Sequence, residues 1–104
     1  MATDMPRMTI EQFRRSLSDA QPPDLAPLLQ ALWHDAGGDW ERAHAITQDI
    51  DDDSASWVHA YLHRKEGDSG NAAYWYRRAR KPVANDPLDD EWSRIVIALL
   101  ERTQ

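Results

Sequence analysis

The sequence predicts an all-α domain of about six helices. Apolar residues recur at spacings of three and four in six successive windows, the pattern of helices that each bury one face. No segment alternates with period two for long enough to make a strand. The windows are also punctuated by starting residues (Thr9, Asp39, Asp68, Asp86-Pro87) and stopping residues (Pro22-Pro23, Gly37-Gly38, Gly67, Pro82).

Helix 1 starts after Thr9. Thr9-Ile-Glu-Gln12 is a capping box, Met8 and Phe13 stand where a hydrophobic staple needs them, and Ile10, Phe13 and Leu17 form the apolar stripe. Residues 18–21 and Pro22-Pro23 end it, because proline lacks the N–H and disfavours helix in the residue before it. Helix 2 is expected with Asp24 as N-cap and Pro27 in its first turn, where the missing N–H is harmless. Its face is Leu25, Leu28, Leu29, Leu32, Trp33 and Ala36, and Gly37-Gly38 stops it. Helix 3, capped by Asp39, runs to about Ile50 with Trp40, Ala43, Ile46 and Ile50 inward and His44 on the border.

Residues 49–54 form an acidic turn containing Asp-x-Asp-x-Asp. A calcium loop of the EF-hand type needs Gly where Ser54 stands and Glu where Ala60 stands, so these acids are read as capping and solvating the start of helix 4. Helix 4 spans about 55–66, with Gly67 as its stop. Helix 5 is capped by Asp68, carries Ala72, Trp75, Tyr76 and Ala79 on one side, and ends near Arg80 before Lys81-Pro82. After a loop at 83–86, Asp86 and Pro87 read as cap and first residue of helix 6, whose face is Leu88, Trp92, Ile95, Val96, Leu99 and Leu100 up to about Glu101.

The 104 residues make one domain, 8–104, after a tail at 1–7 that lacks periodicity and the apolar core of a signal peptide. No cysteine is present, so disulfides and Cys-based zinc sites are excluded and a reducing cytoplasm is the expected setting. No apolar run approaches the roughly 20 residues of a membrane span. A net charge of −6 argues against nucleic acid or an anionic membrane as partner and slightly favours a basic one. Five tryptophans imply large aromatic packing surfaces.

An internal repeat appears at an offset of 29 residues. Ala31 matches Ala60, His34 matches His63, Gly38 matches Gly67, Asp39 matches Asp68, and Ala43 matches Ala72. Each match has a physical role: Gly permits a left-handed turn, Asp caps the next helix, and Ala lets two helices approach closely. At Ala60, Gly67-Asp68, Ala72, Tyr76 and Ala79 the second copy resembles a tetratricopeptide-like repeat. The upstream copy has Thr47 in place of the aromatic, Pro82 comes early, and the offset is shorter than the usual period of about 34. The resemblance covers 24–82. It implies two helical hairpins, with helices 1 and 6 as caps, and a groove lined by helices 2 and 4 that binds a peptide or protein partner.

One cluster invites chemistry. His59 and His63 lie one turn apart on helix 4, with Glu66 on the same side. His34, the repeat mate of His63, is expected to face the same groove. The metal alternative therefore places a divalent transition metal on His34, His59, His63 and Glu66. The other readings are packed, hydrogen-bonded histidines and general acid–base use. No Gly-x-Ser-x-Gly elbow or phosphate-binding glycine loop occurs, so a binding module is favoured over an enzyme. The basic, aromatic stretch 75–81 reads as a solvated face rather than a nucleic-acid site. The expected partner-binding residues are His34, His59, Tyr61, His63, Arg64 and Glu66, with no cofactor. Helix 6 or the Trp-rich faces offer a surface for pairing two copies as a homodimer.

Overall fold

The computed structural model describes residues 8–102. The tail expected at 1–7 lies outside them, as do the last two residues. Among the described residues there are six α-helices and no strand: α1 (Ile10–Ser16), α2 (Pro27–Ala36), α3 (Trp40–Gln48), α4 (Asp53–Lys65), α5 (Ser69–Ala79) and α6 (Leu88–Arg102). None is long and apolar enough to cross a membrane. The all-α expectation of about six helices holds.

Local chemistry explains most boundaries. At α1 the capping box forms in both directions: the Gln12 N–H donates to Thr9 Oγ1 at 3.1 Å and the Thr9 N–H to Gln12 Oε1 at 2.9 Å. Asp39 accepts from the Arg42 N–H and Asp68 from the Asn71 N–H, as expected. Three expectations need correction. Asp24 does not cap α2; the residue before Pro27 is Ala26, with no side-chain cap. Asp52 caps α4 by accepting from the Ala55 N–H at 2.7 Å, so that helix starts at Asp53, earlier than expected. The Asp86 carboxylate is taken by Arg94, at 3.2 and 3.1 Å, while the Pro87 carbonyl accepts from the Asp90 and Glu91 N–H groups.

The 29-residue repeat is reproduced in the turns. Gly38 and Gly67 have φ of +93° and +91°. The Asp39 N–H donates to the His34 carbonyl and the Asp68 N–H to the His63 carbonyl, both at 2.9 Å. The Gly38 N–H donates to the Asp35 carbonyl and the Gly67 N–H to the Arg64 carbonyl. This pair of bonds satisfies the last helical carbonyls and needs a left-handed residue, which glycine adopts without a Cβ penalty. Ala31, Ala43, Ala60 and Ala72 are all buried, which lets the helices of each hairpin pack closely.

α2 pairs with α3 and α4 with α5, and α3 packs on α4 to join the two hairpins. α6 packs against both α2 and α4, and α1 against α6. α4 thus meets neighbours on every side, and its residues from Ala55 to His63 are all buried. Tryptophan N–H groups tie the layers together. Trp33 donates to Ser16, Trp40 to the Leu62 carbonyl, Trp92 to the Leu32 carbonyl, and Trp57 to Glu91. The groove expected between helices 2 and 4 is therefore occupied by α6, whose Trp92, Ile95, Val96 and Leu99 are buried.

Candidate metal centre

Three histidines from the two hairpins converge where α3 crosses α4. His59 and His63 share a face of α4, their rings stacked 4.9 Å apart at 21°. His44 of α3 stands edge-on to both, at 4.7 Å from His59 and 5.2 Å from His63. One ring nitrogen of each lies within 4.8 Å of those of the other two. His44 Nε2 and His59 Nε2 are 3.0 Å apart. Indoles brace two of the rings: Trp40 stacks on His44 at 4.9 Å and 8°, and Trp75 on His59 at 3.9 Å and 10°. Trp40 and His44 are a turn apart on α3, so the stack follows from helix geometry.

The polar accounting is unequal. His63 Nδ1 lies 2.6 Å from Glu66 Oε2, whereas His63 Nε2 is buried with no hydrogen-bond partner. A buried polar atom left unmatched costs about 1–3 kcal/mol, so such atoms usually have a purpose. His59 and His63 are 7% and 6% exposed; His44 is half-buried. Burial, together with the neighbouring His44 and His63, lowers the His59 pKa to about 4. Burial and His63 also lower that of His44, against a smaller opposing pull from Glu66. Both rings are therefore neutral at pH 7, the form that offers a lone pair to a metal.

Three imidazole nitrogens suit zinc, copper, nickel or iron. Ligands about 2.1 Å from a tetrahedral ion lie roughly 3.4 Å from one another. The His44–His59 pair is already that close, and a His63 nitrogen lies within 4.8 Å of both. Glu66 holds the far nitrogen of His63, the arrangement in which an outer carboxylate fixes a ligand's tautomer and orientation. A second potential group, His63 with Glu66 and Asp68, shares His63 but has two exposed acids.

The remaining expected site residues lie elsewhere. His34 does not join the cluster: its ring is half-buried and edge-on to Trp33 at 5.2 Å and 88°. Its partial burial and Arg42 lower its pKa. The reason is positional. His63 faces α3, the second helix of the preceding hairpin, whereas α2 has no preceding hairpin to meet. Tyr61 is buried and donates its hydroxyl to Asp35 at 3.1 Å; burial and that carboxylate raise its phenol pKa. Arg64 pairs with the buried Glu91 at 2.8 Å and also donates to the Asp86 carbonyl. Glu66 meets the cluster as a hydrogen-bond partner. His44 is the residue that sequence reasoning missed as a site member; its border position on helix 3, a turn after Trp40, was the available signal.

The acids of 49–54 do not gather into a site of their own. Asp52 caps α4, Asp51 lies 3.8 Å from Arg78, and Asp53 lies 4.0 Å from Arg80. In the basic stretch, Arg78 lies over the rings of Trp75 and Tyr74, and Lys81 over Trp57 at 4.2 Å.

No family model, curated protein or solved structure matches the chain.

Proposed function

We propose that this chain binds one divalent transition-metal ion through His44, His59 and His63, on a scaffold of two tetratricopeptide-like hairpins. The observation that supports it is the meeting of three imidazoles from both hairpins, with the buried Nε2 of His63 unmatched while Glu66 holds Nδ1. The donor set favours zinc, nickel or copper over calcium or magnesium, which prefer oxygen. The lack of cysteine leaves histidine as the strong ligand available and fits a cytoplasmic setting.

A peptide or protein groove between α2 and α4 has less support. α6 lies across those helices, Tyr61, His59 and His63 are buried, and Arg64 is paired with Glu91.

Elemental analysis after loading with zinc and dialysis tests the metal reading. One equivalent is retained by the wild type and by His34→Ala, and lost in His59→Ala and His44→Ala. Wild-type protein that retains no zinc, or a loss in His34→Ala as deep as in His59→Ala, rejects it.

A further inference from the structure

Granted the three-histidine site, the question is what completes it. We infer that the ion's fourth position is taken by an exchangeable ligand from solvent, so that the centre is open to small anions and azoles instead of being closed by the protein.

The inventory of donors around the cluster supports this. Among the described residues, His44, His59 and His63 are the nitrogens that gather there, and no carboxylate or further imidazole joins them as a fourth. The nearest carboxylate, Glu66, is engaged at 2.6 Å with His63 Nδ1, on the far side of the ring from the free Nε2. The two indoles that wall the cluster have only an N–H to offer, and a donor cannot ligate a cation. The Trp40 N–H is already given to the Leu62 carbonyl at 2.8 Å. The Thr47 hydroxyl, one turn along α3 from His44, is turned back onto the Ala43 carbonyl at 2.7 Å.

A tetrahedral ion held by three such residues has one vacancy. Structural zinc sites close all four positions with protein, whereas three protein ligands plus water is the arrangement that exchanges ligands and polarises them. Partial exposure of the cluster's rim supplies the side for entry. His59 and His63 are buried, but His44, Trp40 and Trp75 each keep part of their surface in solvent. The open side thus lies beside His44, near the Trp40 and Trp75 indoles. Those ring faces suit a flat azole as well as a small anion. The resting occupant is water; azide, cyanide or imidazole replaces it one for one.

Cobalt(II)-loaded full-length protein tests the inference, because cobalt takes zinc's geometry and its visible bands report the ligand set. Titration with azide, and separately with imidazole, is expected to shift those bands in a saturable step of one equivalent per chain. Glu66→Gln, loaded with excess cobalt to offset its weaker metal binding, is expected to show the same shift, since Glu66 is outside the coordination sphere. Strong tetrahedral bands that saturating azide and imidazole leave unmoved overturn the inference while leaving the metal site intact. A shift that appears only in Glu66→Gln also overturns it, because Glu66 would then be the fourth ligand. Failure to develop one equivalent of cobalt bands overturns the metal site itself, and this inference with it.

Discussion

Glu66 and His63 are joined across one turn at the end of α4, with Oε2 of the carboxylate 2.6 Å from Nδ1 of the ring. The bond fixes which nitrogen of His63 is left free, and that nitrogen is buried without a partner. Because Glu66 is 38% exposed at its side chain, its removal disturbs little packing. Glu66→Gln is therefore expected to keep the fold and weaken zinc binding by about 10–100-fold, the usual effect of losing an outer partner of a metal ligand. Calorimetric titration of the two proteins checks it. An unchanged affinity separates the carboxylate from the site.

His59 makes the metal-free protein sensitive to mild acid. Its pKa is about 6.5 in an unfolded chain and is held down to about 4 in the fold. Between those values the unfolded chain binds a proton that the native state refuses, so stability rises with pH across the window. It is fully present above about pH 6.5 and is lost as pH falls toward 4. The shift corresponds to about 3 kcal/mol. Urea unfolding at pH 7 and pH 5 captures about 2 kcal/mol of it, and His59→Leu is expected to flatten the difference. Equal pH dependence in the two proteins removes His59 as the cause.

Zinc is expected to stabilise the fold, because its ligands come from α3 of one hairpin and α4 of the next. At free zinc about 100 times Kd the gain is about 2.7 kcal/mol, or on the order of 10 °C in Tm for a domain of this size. A chelator reverses it and His44→Ala abolishes it. His44→Ala is the informative variant, since His44 is the half-buried member and the sole ligand from the first hairpin. Stabilisation that survives in it places the ion elsewhere.

The turns offer a test of the repeat. A Cβ added at Gly38 or Gly67 meets nothing within 4 Å, so an alanine there meets backbone strain alone. Gly38→Ala and Gly67→Ala are each expected to lose about 1 kcal/mol, and by similar amounts. Arg80 closes α5 with the same pair of bonds, from the Lys81 N–H to Tyr76 and from its own N–H to Arg77, yet it is not glycine and has φ of +60°. Its side chain is 86% exposed and its contact with Asp53 is at 4.0 Å. Arg80→Gly is expected to gain about 0.5–1 kcal/mol. Denaturant midpoints of the three variants decide, and a loss in Arg80→Gly contradicts the strain account.

These turns were also the most legible feature of the sequence. Gly-Asp at an offset of 29 residues encodes a left-handed residue and a cap, and both are local properties. Asp24 misled because the helix starts three residues later, at Pro27, whose rigid φ suits a first helical residue, and Asp86 because its carboxylate is taken by Arg94. The site was half legible. The i, i+4 spacing of His59 and His63 lies within one helix, whereas the partnership with His44 depends on how α3 rotates onto α4. Repeat matching pointed to His34 because it compares positions within hairpins. It says nothing of which hairpin has a neighbour.

The same limit hid Glu91, which sits on α6 among acids that look solvent-facing. Glu91 is 0% exposed, yet it lies at the centre of the packing. It accepts from Arg64 at 2.8 Å, the Tyr76 hydroxyl at 2.6 Å and the Trp57 N–H at 3.2 Å, joining α6 to both helices of the second hairpin. A carboxyl group this deep persists because both of its oxygens are hydrogen-bonded, one of them by a guanidinium. Removing it takes away the close carboxylate partner of Arg64 and strands the Tyr76 and Trp57 donors, so Glu91→Ala is expected to lose about 3–5 kcal/mol. Replacing both members of the ion pair, Glu91→Leu with Arg64→Met, leaves no buried charge unpaired and is expected to recover part of that loss. A double-mutant cycle by urea unfolding measures the coupling. If the double variant is as unstable as the sum of the single ones, the pair contributes no coupling. The anchoring of α6 across α2 and α4 then rests on Trp92 and its apolar neighbours.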